Sequence, residues 1–151
     1  MILRTTRNLV DESGYSMAWY AVVFAFVLLP LMSLAVDITR LLYVRNDLQT
    51  SVDAACEAAG LAADVAYFNL TGEQRVHSGL AATYALQAFH SSASEAGLSR
   101  YSAALTAVIV LADTEVACAA HASVQTFIRI TPALNVNVQS RSRMRFVEQE
   151  P

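Results

Sequence analysis

The chain has 151 residues, one domain's worth at most. Its hydrophobic fraction of 55% is high for a soluble protein, and the surplus is concentrated near the N-terminus. The formal net charge of −3 excludes a general electrostatic attraction to nucleic acid.

Residues 1–14 form a short polar leader carrying Arg4 and Arg7. Residues 15–36, YSMAWYAVVFAFVLLPLMSLAV, contain no charged side chain. As a helix this run spans roughly 33 Å, enough to cross a bilayer core of about 30 Å. Trp19 and Tyr20 near one end and Tyr43 beyond the other suit the interfacial positions that aromatic rings prefer. Pro30 lies inside the run, where it removes one helix hydrogen bond and is expected to kink the helix. A cleavable signal peptide is the competing interpretation, since Ser33-Leu34-Ala35 has the small-x-small form of a cleavage site. Against it, the run exceeds the usual h-region of about 7–15 residues, and the helical pattern continues past Ala35. The flanking arginines, Arg4 and Arg7 before and Arg40 and Arg45 after, nearly balance in the positive-inside count.

Residues 37–68 continue the helix in amphipathic form. Leu41, Val44, Leu48, Val52, Ala55, Ala59, Ala62 and Ala66 recur on one side, with Arg45, Asn46, Gln49, Asp53, Glu57 and Asp64 opposite. Residues 69–151 are expected to form a small α+β domain packed on that helix. Thr71 stands three residues before Gln74, the capping-box spacing, and predicts a second helix over 72–96. Its apolar face would be Val76, Leu80, Tyr84 and Ala88, and Gly97 would end it. The run 103–111 predicts a buried strand, and Asp113-Thr114 a turn. Residues 115–127 alternate, with Val116, Cys118, Ala120, Ala122 and Val124 on one face. Pro132 marks a bend. Residues 134–146 alternate again, with Leu134, Val136, Val138, Met144 and Phe146 inward. The expected architecture is therefore α+β: a long transmembrane-plus-amphipathic helix, a second helix and an antiparallel sheet of about three strands.

Cys56 falls on or beside the apolar stripe of the first helix and Cys118 on the apolar face of the second strand. Both point into one core, and outside the cytoplasm a disulfide is chemically permitted. Closing a loop of about 60 residues would contribute roughly 4 kcal/mol through the unfolded state. Two buried free thiols are the alternative. Two cysteines without suitably spaced histidines are not a metal-ligand set. His77, His90 and His121 are scattered and fit surface or structural roles. No nucleophile elbow, phosphate loop, dinucleotide turn or paired acid and base is present, so neither catalysis nor a cofactor is expected. Arg141, Arg143 and Arg145 line one strand face, either as a subunit contact or anion patch or as a solvated face that discourages edge aggregation. Asn69-Leu70-Thr71 matches the glycosylation triplet, which often arises by chance.

Leu29-Pro30 within the apolar helix is followed by the boundary Asp37, Arg40 and Tyr43, then Asn46 with Leu48-Gln49, and Asp53-Ala54-Ala55 opening an Ala-rich helix. With these residues the first third of the chain resembles the TadE/TadG-like proteins of the Flp (Tad) type IV pilus system. The strands around VACAAHASVQTF and LNVNVQSRSRMRF resemble the strand-rich end of the family. The resemblance implies a pilin-like or minor-pilin protein, single-pass in the inner (cytoplasmic) membrane with its C-terminal domain outside, or part of an extracellular filament. Its partners would be the membrane, further copies of itself, and other pilins and assembly components. It also implies peptidase cleavage between Gly14 and Tyr15. Many members carry a Glu five residues after the cut, where this chain has Trp19. Larger members carry a von Willebrand-type domain, for which this chain has neither the length nor the metal motif. A membrane-anchored binding or sensing module is the alternative function, with the helix serving only as tether.

Overall fold

The uncharged run folds as helix, the one open structure that satisfies its own backbone without water. The computed structural model describes residues 12–126 and 133–144. Helix α1 spans Glu12–Val23, a π-helical turn spans Phe24–Leu28, and α2 spans Leu29–Gly60. The π-turn is the local answer to Pro30. Proline supplies no N–H and its ring crowds the carbonyl four residues back, on Phe26. The Leu29 N–H accordingly reaches the Phe24 carbonyl, one residue further than in an α-helix. The chain divides into two compact units, Met1–Ile38 and Thr39–Pro151.

Helix α2 stops at Gly60, short of the expected residue 68. The chain tightens there: the Leu61 N–H donates to the Ala58 carbonyl and the Ala62 N–H to the Ala59 carbonyl, each at 3.2 Å. A bridge between Ala63 and Val76 then fixes the bend. Asp64 starts a separate helix α3, Val65–Thr71, by accepting the Tyr67 N–H at 3.1 Å. Ala66 is consequently exposed rather than part of the core stripe. Thr71 ends α3 instead of opening the next helix. Its hydroxyl donates to the Tyr67 carbonyl at 2.9 Å, and Gly72 takes the left-handed conformation (φ 73°) that closes the helix.

Helix α4, Ser78–Glu95, begins six residues later than expected. Its cap is His77, whose Nδ1 accepts the Leu80 N–H at 3.2 Å. The buried stripe is Ala81, Ala85, Phe89 and Ala93, one residue out of step with the predicted face. Leu80 and Tyr84 are each 42% exposed. Three alanines let α4 approach its neighbours closely, and Phe89 is the one large side chain of the stripe. The end agrees with the sequence pattern: Gly97 is left-handed (φ 66°) just beyond the last turn.

After a 3-10 turn over Leu98–Tyr101 come β1 (Ala104–Ala112), β2 (Glu115–Val124) and β3 (Leu134–Arg143). They form an antiparallel meander in the order β1-β2-β3. Strand β2 alternates as its sequence requires, with Val116, Cys118, Ala120, Ala122 and Val124 buried. Strand β1 is not the buried strand its apolar run suggests. It is an edge strand broken by two register shifts, and Ile109 and Leu111 are 54% and 50% exposed. The core joins Val44, Leu48, Val52, Ala55, Cys56 and Ala59 of α2 to the α4 stripe and the inward face of the sheet.

Candidate functional site: the apolar helix and its docking residues

Two properties set the first part of the site. Helical backbone runs from Ser16 to Gly60, and within it an 18-residue window of mean hydropathy 2.4 has 0% of its residues buried. Met17, Trp19, Phe26, Leu31, Met32 and Leu34 are all exposed. The helix is long and apolar enough to cross a membrane. Gly14 and Tyr15 lie within α1.

The second part is a run of docking residues on α2. The Arg40 Nε donates to the Tyr101 hydroxyl at 3.3 Å, and its Nη1 donates to the Gln125 carbonyl at 3.3 Å. The same guanidinium lies 5.2 Å from the centre of the Tyr101 ring, within cation–π range. The Asp47 carboxylate, one helical turn on, raises the Tyr43 pKa. Leu48 is fully buried. The Gln49 Nε2 donates to Asp53 Oδ1 at 2.9 Å and to the Gln139 carbonyl of β3 at 3.3 Å. Arg40 and Gln49 therefore tie α2 to the 3-10 turn, the end of β2 and β3. The partners Tyr101 and Gln125 are not legible in the sequence, because nothing in the spacing links residues 61 and 85 positions away.

Residues 16–64 match the family model Tad, described as putative Flp pilus-assembly TadE/G-like. The TadE/G-like segment thus covers most of the apolar helix, all of α2 and the residues up to the cap of α3. Helix α4 and the sheet lie beyond the match. No curated protein and no solved structure matches the chain.

Around the TadE/G-like segment the remaining candidate residues fall into separate places. Cys56 and Cys118 come together in the core as free thiols, both buried. The Cys56 Sγ donates to the Val116 carbonyl at 3.4 Å and the Ser140 carbonyl at 3.5 Å. Burial, followed by the hydrogen bond to Cys56, pushes the Cys118 thiol well above its ordinary pKa. Arg141 and Arg143 are exposed on β3, and they line a cleft with Asp53 and Glu57 of α2, so that surface carries both signs of charge. Arg145 lies outside the described residues. His77 caps α4, and His90 packs edge-on against its neighbour Phe89. Among the described residues no group of three or more His, Cys, Asp or Glu is placed to hold a metal ion.

Proposed function

We propose that this chain is a pilin-like structural protein, a subunit or minor component of a Flp/Tad-type pilus. Its N-terminal helix would anchor it single-pass in the cytoplasmic membrane with the sheet domain outside. The observation that carries this is the TadE/G-like match over residues 16–64, which spans an apolar helix with none of its hydropathic window covered. Such a helix can exchange lipid for the apolar helices of neighbouring subunits. Lipid tails are as apolar as those side chains, so packing rather than the hydrophobic effect decides the exchange.

Cleavage between Gly14 and Tyr15 would place Trp19 five residues into the mature helix. The indole carries no charge to pair with a neighbour's N-terminal amine, so subunit docking here would rely on packing and on polar surfaces elsewhere. Arg141 and Arg143 beside Asp53 and Glu57 supply one such surface, suited to a neighbour that also presents both signs of charge. The test is fractionation of cells that make the native pilus, with a photo-crosslinker at Met32. The chain is expected in sheared filaments, or crosslinked to pilus components in the membrane. A chain that stays in the membrane and crosslinks only to lipid overturns the proposal and favours the tethered binding module.

A further inference from the structure

We propose that Cys56 and Cys118 form an intrachain disulfide that staples α2 to the central strand of the sheet. The inference rests on the extracytoplasmic placement proposed above. The geometry comes from two carbonyls. Cys56 Sγ contacts the Val116 and Ser140 carbonyls at 3.4 and 3.5 Å. Val116 precedes Cys118 by two residues on the same face of β2, and Ser140 is the residue directly across from Cys118 on β3. The Cys56 sulfur is therefore held over the one stretch of ladder from which the Cys118 side chain rises, on the buried face. Ala55, Ala59 and Gly60 flank it, and these small residues let α2 come close enough to the sheet for two short side chains to meet.

The Cys118 thiol is raised first by burial and then by the neighbouring Cys56, in agreement with this placement. A metal is the other chemistry open to paired cysteines, and the described residues supply no third ligand.

The oxidant required is a disulfide-bearing exchange partner. One cysteine thiolate attacks its disulfide, forming a mixed disulfide and releasing one partner thiolate. The second cysteine thiolate then attacks the first cysteine's sulfur, closing the intrachain S–S bond and releasing the second partner thiolate. Two electrons pass to the partner, and the two protons lost by the cysteines end on its thiols. Both cysteines are buried once folded, so exchange takes place while the sheet is still docking. The finished bond is then sheltered from reductants. In a subunit pulled out of a bilayer or along a filament, the staple makes the junction between helix and sheet covalent.

The test uses the wild-type full chain in detergent, reduced, unfolded and refolded in a buffer of glutathione and its disulfide. Free thiols are then trapped with a maleimide under denaturing conditions and the intact mass is read. The expected result is no adduct before reduction, two after it, and a linked peptide pair containing Cys56 and Cys118. Two adducts without reductant overturn the staple. The same trapping on native membranes tests location: a chain oxidised in the buffer and reduced in the cell overturns the extracytoplasmic placement while the stapling geometry stands.

Discussion

Asp64 serves two neighbours at once. Its Oδ1 accepts the Tyr67 N–H at 3.1 Å, and its Oδ2 accepts Arg75 Nη2 and Nε at 2.9 and 3.0 Å. Arg75 in turn lies 4.0 Å from the centre of the Tyr67 ring. The backbone hydrogen bond first, and Arg75 second, hold the Asp64 carboxyl below its ordinary pKa. A lowered folded-state pKa stabilises the fold above the unfolded carboxylate value, and this is lost as pH falls through the folded one. Asp64→Asn keeps a good helix cap but loses the ionic partner of Arg75. Thermal melts of wild type and D64N should differ at neutral pH and converge in strong acid. Curves that stay parallel throughout would deny the ion pair any part in stability.

The displaced stripe of α4 invites a paired comparison. Phe89→Ala removes the largest fully buried side chain among the described residues and should cost about 3–5 kcal/mol. Leu80→Ala, on the face the sequence pattern would have chosen, should cost under about 1 kcal/mol in the same denaturant titration. The reverse order would restore the predicted face. The π-turn supports a second prediction. One extra residue in a helical turn rotates the downstream helix by about 100°. Pro30→Ala returns the missing N–H and should remove the extra residue, turning α1 relative to the part of α2 before Ile38. Photo-crosslinkers at Met17 and Phe26 in the native membrane should then exchange partners, and an unchanged pattern would mean the π-turn does not depend on Pro30. The α+β class, the alternation of β2 and the Val44 to Ala59 stripe are all legible in the sequence, because period and burial coincide there. The α4 stripe is not, because alanine is apolar enough to sit inside yet small enough to be passed over for Leu80 and Tyr84. The α3 helix is hidden for a different reason. Its cap, Asp64, sits in an Ala-rich stretch that keeps its helical period straight through the bend at residues 60–63. The family likeness is legible in the chain order of Pro30, Arg40, Tyr43 and Gln49, whereas the partners of Arg40 require the fold.

The core that holds the second unit together lies within residues 44–144. Residues 39–151 produced without the apolar helix should therefore fold alone and melt cooperatively, as followed by circular dichroism. A broad, non-cooperative transition would mean that the first unit contributes to the core. The meander also predicts an order of events. Each hairpin closes between chain neighbours, which is fast, whereas α2 is covered by groups 60 and 84 residues away. The slow step is expected to be the arrival of the assembled sheet on α2. During that interval the Val44 to Ala59 stripe is open to any other apolar surface, which makes the time between synthesis and docking the moment when this protein is most exposed to misassembly.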